Sequence, residues 1–202
     1  MPEIRNSVQQ LLGEMDIYLI DQIMKNRYKI NDRILDTGCG TGRNLYWFIN
    51  HAFDIYGIDA DEEVINELKT RYSHLPDDHL QVMPLEETLF PDNHFHHIIS
   101  SAVFHFANGT LHFRQMISEM VRVLKPGGSL FIRMTSDFGI EKEIEVIGDG
   151  VYLLPDGSKR FLLTRKLLNS IMQHFNLSFL EPLKTVNVND IRCMSTILLE
   201  KN

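Results

Sequence analysis

Apolar residues recur along this chain with two alternating periods. From Ser7 to Lys25 they fall at Leu11, Leu12, Met15, Tyr18, Leu19 and Ile23, mostly three or four apart, which predicts an amphipathic helix softened at Gly13. Short apolar runs then alternate with helical spacing. Arg33–Thr37 reads as a strand ending in glycines, Arg43–His51 as a helix burying Leu45, Phe48 and Ile49, and Phe53–Ile58 as a second strand. Asp61–Arg71 is a helix whose acidic first turn suits the positive end of the helix dipole, with Val64, Ile65 and Leu68 as its buried stripe. Strands follow at Leu80–Met83 and His97–Ser101, then a helix at Thr110–Leu124 that stops at Lys125-Pro126-Gly127-Gly128, and a strand at Ser129–Met134. Thr164–Phe175 is a helix capped by Thr164, and strands at Leu177–Val186 and Arg192–Glu200 close the chain as a hairpin around Asn187–Asp190.

Repeated strand-helix-strand units with right-handed crossovers predict an α/β fold: a Rossmann-like, doubly wound, seven-stranded and mostly parallel sheet, its last strand antiparallel, with helices on both faces. One domain spanning residues 1–202 is expected, with residues 1–30 as an N-terminal helical cap over the site. The segment after Met134 breaks the alternation. Where a short connection is due, the chain runs through Gly139, Gly148, Gly150, Pro155 and Gly157, so residues 135–163 read as an insertion near the substrate site.

Composition narrows the class of partner. With 44% hydrophobic and 23% charged residues, the chain has the balance of a folded globular protein rather than a disordered one. The formal net charge of −7 argues against nucleic acid and anionic lipid as general partners. No continuous apolar stretch has the length of a membrane span, and charges interrupt the N-terminal apolar positions, which speaks against a signal peptide. Cys39 lies inside a glycine-rich turn and Cys193 on a late strand, so both read as free thiols of a reducing compartment, the cytosol by default.

The chemistry is carried by ILDTGCGTGRN at Ile34–Asn44, placed between a predicted strand and a predicted helix, with Asp59 ending the next strand. Gly38, Gly40 and Gly42 allow a tight turn and close approach of a ligand to the backbone, and the amides opening the helix favour a polar or anionic group. Asp59 is placed to accept hydrogen bonds from the two hydroxyls of a ribose. Arg43 stands where the dinucleotide pattern G-x-G-x-x-G needs its last glycine, which argues against a nicotinamide cofactor.

On these residues, together with LFPDN at Leu89–Asn93 and LKPGG at Leu124–Gly128, the chain resembles the class I S-adenosylmethionine-dependent methyltransferases of the small methyltransferase domain 11 type. The resemblance implies S-adenosyl-L-methionine as cofactor and S-adenosyl-L-homocysteine as product. It implies that Asp36 holds the methionine amino group, that Gly38, Cys39 and Gly40 line the methionine tail, and that Asp59 takes the ribose. By the same resemblance Ala60 lies beneath the adenine, Leu85 and Glu86 form its edge loop, and the backbone of Ser100 and Ser101 lies beside the methyl group. The run Arg122–Gly128 matches a turn whose role is structural. Pro84 departs from the family's usual acid at the adenine edge, and His96 from its usual aspartate at the entrance of the fourth strand.

At the acceptor end, methyl transfer needs chiefly a positioned nucleophile, and His105, just past the fourth strand, is the candidate general base. Tyr18, Phe104, Tyr152, Arg160 and Arg192 are candidate substrate contacts. His94, His96, His97, His105 and His112 do not share one face, so no metal site is expected. SSAVFHF replaces the Asn/Asp-Pro-Pro-aromatic signature of amino-group methylation of nucleobases or glutamine, which favours a small-molecule acceptor. The competing readings are an RNA methyltransferase and a non-catalytic S-adenosylmethionine-binding module. Oligomeric state and acceptor identity are not encoded in any of these features.

Overall fold

The structure is a computed structural model that describes residues 8–202. The predicted helix start at Ser7 and the first residues of the predicted cap lie outside the described residues. The chain divides into two compact units, one ending at Leu85 and one running from Glu86 to Asn202.

The first unit opens with helical residues 8–12 and then α1 (Ile17–Met24). A single softened helix was expected, but Gly13 adopts φ +61° and ends the first segment, its N–H donating to the Gln9 carbonyl. Asp16 then caps α1 by accepting the Tyr18 N–H at 2.9 Å. Next come β1 (Arg33–Thr37), α2 (Leu45–Asn50), β2 (Asp54–Asp59), α3 (Glu62–Arg71) and β3 (Leu80–Val82). β1 pairs parallel to β2 from Arg33↔Asp54 to Thr37↔Ile58, and β2 pairs parallel to β3 from Gly57↔Leu80. In α3 the acid at position 61 is the cap, accepting the N–H groups of Glu63 and Val64, while Ile65 and Leu68 are buried.

The second unit contains β4 (Phe95–Ser101), a single 3-10 turn (Phe104–Phe106), α4 (Thr110–Val123), β5 (Leu124–Thr135), β6 (Glu145–Val146), β7 (Val151–Leu153), β8 (Lys159–Phe161), α5 (Arg165–His174), β9 (Leu177–Phe179), β10 (Lys184–Val188) and β11 (Arg192–Lys201). β4 and β5 are parallel, from His97↔Ser129 to Ser101↔Arg133, and β11 runs antiparallel to β5. The helix before β5 stops where Pro126 requires, but Lys125–Gly128 belongs to β5 itself, with Gly127 at φ +75° and a register shift between Phe95 and His97. The expected strand Leu177–Val186 is two strands, β9 and β10, each pairing with β11. The break holds Pro182, which has no N–H to give to a ladder. Asn189 and Asp190, both left-handed, turn the β10–β11 hairpin.

Among the described residues, β1, β2, β3, β4, β5 and β10, with β11 reversed against both β5 and β10, give the seven predicted strands, and β9 is an addition. The fold class is the α/β, mostly parallel one that the alternation predicts. The glycine-rich stretch after β5 is less open than its composition suggests, because β6, β7 and β8 form a small antiparallel sheet. Phe161 on β8 stacks on Phe113 of α4 at 4.8 Å, and both are buried. The RVLKPGG run begins with a clamp: Arg122 donates to Glu119, to Asp92 at 2.6 Å and to the Thr88 carbonyl, which ties the LFPDN turn to α4. No helix among the described residues is long and apolar enough to cross a membrane.

Candidate functional site

Parallel pairing of β1 with β2 brings the end of β2 against the glycine turn. The Cys39 N–H donates to the Ile58 carbonyl at 2.9 Å, and the Gly40 N–H donates to Asp59 Oδ2 at 2.9 Å. Asp59 Oδ1 accepts a further N–H, from Asp61 at 3.0 Å. One carboxylate therefore fixes both the turn and the start of α3. The three turn glycines, Gly38, Gly40 and Gly42, all have positive φ. At Gly40 an added Cβ meets nothing within 4 Å, whereas at Gly42 it would stand 2.7 Å from Leu68 Cδ2. Gly42 is thus required by packing, while Gly40 faces open space.

Asp36 lies one turn upstream, 1% exposed, and its Oδ2 has no hydrogen-bond partner. Burial pushes its carboxyl up to about 8, with Arg43 opposing and Asp59 adding to the rise. Cys39 is buried, and an added Cβ at Gly57 would stand 3.1 Å from its Sγ. Burial first, then the charges of Asp36 and Asp59, hold that thiol far above the usual range, so it is an inert packing group rather than a nucleophile. Ala60 is exposed just after Asp59, and the Met83 N–H donates to the Asp59 carbonyl at 2.9 Å, setting buried Leu85 just past that edge. The Asp16 N–H donates to Asn44 Oδ1 at 3.1 Å, which ties the start of α1, and half-buried Tyr18 on it, to the residue that follows the turn.

In the second unit β4 ends in Ser100 and Ser101, both buried, and Ser100 Oγ has no hydrogen-bond partner. Ala102 takes a left-handed φ of +66°, and the 3-10 turn follows. Phe104 is buried against Phe113 and contributes to the core. His105 is 7% exposed with Nδ1 unpartnered. Its imidazole is pushed down to about 4 by burial first, then by Arg160, Arg192 and Arg133. The Arg160 guanidinium lies 5.0 Å from the Phe106 ring centroid, and Tyr152 faces Arg160 across the β7–β8 pair. Arg192 is half exposed, with Asp156 at 4.0 Å. Glu86 is exposed and lies 3.5 Å from His112 Nε2.

The histidines are engaged separately: His96 Nε2 lies 2.7 Å from Lys125 Nζ, and His97 Nδ1 lies 2.7 Å from Ser129 Oγ. Among the described residues no group of three or more His, Cys, Asp or Glu side chains is placed to hold a metal ion.

A family model described as a methyltransferase domain matches residues 35–132, from the glycine turn into β5. Over these residues the chain carries a methyltransferase domain, consistent with a class I S-adenosylmethionine-dependent methyltransferase. S-adenosylmethionine is accordingly its cofactor. Among curated proteins, this methyltransferase is 28% identical over 118 residues to the mouse (Mus musculus) protein named EEF1A lysine methyltransferase 4, a match covering 52% of this chain and 46% of that protein. The chain therefore spans less than half the length of that relative. Among solved structures, an S-adenosylmethionine-dependent methyltransferase from Clostridium acetobutylicum superposes with a TM-score of 0.70 at 13% identity, covering 98% of both chains. The Burkholderia thailandensis 1,6-didemethyltoxoflavin-N1-methyltransferase, solved with its substrate and S-adenosylhomocysteine, gives 0.68 at 14% identity, over 99% of this chain and 83% of that one. At these identities the likeness is one of fold.

Residue by residue, the first unit of the methyltransferase assembles Asp36, Gly38, Cys39, Gly40 and Asp59, with Ala60 and Leu85 at the same strand ends. The second brings His105, Arg160 and Arg192 within electrostatic reach of one another and adds Arg133, which the sequence reading did not single out. Also missed was Arg71, whose guanidinium donates to the Thr41 carbonyl at 3.0 Å and so braces the glycine turn from α3. No sequence signal marks a bond between positions this far apart.

Proposed function

We propose that this chain transfers the methyl group of S-adenosylmethionine to a small-molecule acceptor and releases S-adenosylhomocysteine, working in the cytosol. The observation that carries the reading is the pair of acids around the glycine turn. Asp36 keeps a buried oxygen without a partner, and Asp59 holds the turn open at Gly40. These residues fit the cofactor: Asp36 would take its amino group, the backbone of Gly38, Cys39 and Gly40 its methionine tail, and Asp59 its ribose hydroxyls. Ala60, Leu85 and Glu86 would serve the adenine, and Ser100 and Ser101 the methyl end. When bound, the cofactor supplies a sulfonium carbon open to in-line displacement.

What the chain's own residues do is position and exclude. Half-buried Tyr152 would line the acceptor, and His105 would take its proton. Burial and the arginines push His105 down to about 4, so its ring is neutral at pH 7 and has a lone pair to offer, but with a low affinity for the proton. Residues 135–163 are taken as an acceptor-side insertion. The mouse relative raises a second reading, a protein lysine as acceptor, but the arginines around His105 would repel an ammonium group.

The test is calorimetric titration with S-adenosylmethionine and, in parallel, NAD, followed by a radiolabelled-methyl transfer screen over small molecules and lysine peptides. Binding of S-adenosylmethionine alone and transfer to a small molecule support the proposal. Failure to bind S-adenosylmethionine would sink the site assignment, and transfer only to peptides would move the lysine reading to the front.

A further inference from the structure

His105 and Phe106 sit on the 3-10 turn, Arg133 on β5, Arg160 on β8 and Arg192 at the start of β11, all within the second unit. The Thr135 hydroxyl donates to the Phe161 carbonyl at 3.2 Å and the Ser136 N–H to the Cys193 carbonyl at 3.1 Å, which holds the strand ends that carry Arg133, Arg160 and Arg192 side by side, and their charge adds to burial in lowering the proton affinity of His105. Arg160 is held in place by its neighbours: its Nη1 donates to the Lys159 carbonyl at 2.7 Å, and its guanidinium lies over Phe106. A guanidinium fixed over an aromatic face keeps its donor fork directed while losing little further freedom on binding. Arg192 lies 4.0 Å from Asp156, at the outer limit of an ion pair. His105 is buried and yet leaves Nδ1 without a partner.

We infer that this region anchors an anionic group of the acceptor, a carboxylate or a phosphate, gripped by Arg160 and Arg192 with the His105 ring as the hydrogen-bonding group beside it. The inference rests on the reading of the second unit as the acceptor side. Guanidinium forks match the planar carboxylate and the phosphate edge bidentately, and a bound anion offsets the mutual repulsion of the arginines. It also raises the proton affinity of the adjacent imidazole, so that the acceptor itself makes His105 a competent base. The same arrangement rejects an ammonium-bearing acceptor, since like charges placed together cost affinity.

The experiment uses the whole chain saturated with S-adenosylhomocysteine and follows the His105 ring resonances, assigned with H105Q, during titration with inorganic phosphate and separately with succinate at constant ionic strength. The expected result is a saturable shift of the His105 signals with at least one of the two, and the tighter response tells phosphate from carboxylate. R160Q/R192Q should weaken that binding roughly ten-fold or more, the usual effect of losing charge-assisted hydrogen bonds, while R160K/R192K weakens it less. R192Q alone, at a half-exposed side chain, leaves the packing on Phe106 untouched and should also weaken it. No saturable shift with either anion, or equal affinity in R160Q/R192Q or in R192Q, overturns the inference. Calorimetry with S-adenosylmethionine on the same samples separates the two failures: cofactor binding without an anion response removes only the anion anchor. An anion response without cofactor binding removes the methyltransferase reading and leaves the anchor standing.

Discussion

Removing the charge from Asp36 should weaken cofactor binding and strengthen the cofactor-free fold at the same time. The carboxyl is 1% exposed, and burial carries its titration up to about 8. To pair with the cofactor's ammonium it must be ionised. At pH 7 an acid titrating near 8 is ionised in roughly one molecule in ten, so ionising it costs about 1.4 kcal/mol, close to a ten-fold loss of affinity relative to pH 9. Binding of S-adenosylhomocysteine at pH 7 should accordingly release about 0.9 of a proton. Calorimetry between pH 6 and 8.5, repeated in buffers of different ionisation enthalpy, measures both quantities. Methylthioadenosine, which lacks the amino acid tail, should show neither the slope nor the proton release. For stability the sign runs the other way. A carboxyl held more tightly protonated in the folded state contributes most below its unfolded value near 4, and the contribution is lost as pH rises toward 8, by up to about 1.4 kcal/mol per pH unit. Asp36→Asn escapes that loss, so its stability advantage over the native chain should grow from pH 5 to pH 7.5 while its affinity for S-adenosylhomocysteine falls and loses its pH dependence. An affinity flat with pH in the native chain, or an equal slope with methylthioadenosine, would refute the pairing of Asp36 with the amino group.

Asp59→Ala should cost about 1–3 kcal/mol of cofactor binding by calorimetry and lower the melting temperature as well, because the Gly40 and Asp61 N–H groups both lose their acceptor; a variant of native affinity means that the ribose is placed wrongly. Gly40→Ala and Gly42→Ala should separate binding from folding. At Gly40 the added Cβ meets nothing, so the stability loss is limited to about 1 kcal/mol of backbone strain while binding is blocked. At Gly42 the clash with Leu68 should cost more, roughly 2 kcal/mol or above in urea unfolding, and equal losses at the two sites would contradict this division. Arg122→Ala should destabilise the chain by about 2 kcal/mol, since Glu119, with a side chain only 11% exposed, is left without its guanidinium partner; cofactor affinity per folded molecule should hold, and a native melting temperature would show the clamp to be dispensable.

The first unit was legible because its information is local. β1 and β2 are joined by one short crossover, so the distance from Gly40 to Asp59 along the chain is set by the length of a single helix and strand, and parallel register turns that spacing into a 2.9 Å hydrogen bond. Apolar periodicity located α3 for the same reason, since Ile65 and Leu68 are neighbours on one helix, although Asp61, expected in its first turn, is its cap. Where the reading went wrong, one residue overrode a correct average. Gly13 divided a well-patterned helix, and Pro182 interrupted a strand whose flanks alternate properly. Both breakers stand plainly in the sequence, and only Gly13 was given weight.

The acceptor side resists reading for a different physical reason. The charge around His105 is delivered from β5, β8 and β11, and nothing in the spacing of positions 133, 160 and 192 states that they converge. Their convergence depends on packing: Phe161, next to Arg160, stacks on Phe113 and so fixes β8 near the 3-10 turn, while Arg192 extends the strand that runs antiparallel to Arg133. A cofactor shared by a whole family can be held by a contiguous motif, because one crossover unit suffices to build it. The proposed acceptor anchor is made of side chains on strands from separate parts of the chain, so its signature would be a potential at a point in space, here the lowered proton affinity of one buried imidazole, rather than a pattern along the chain.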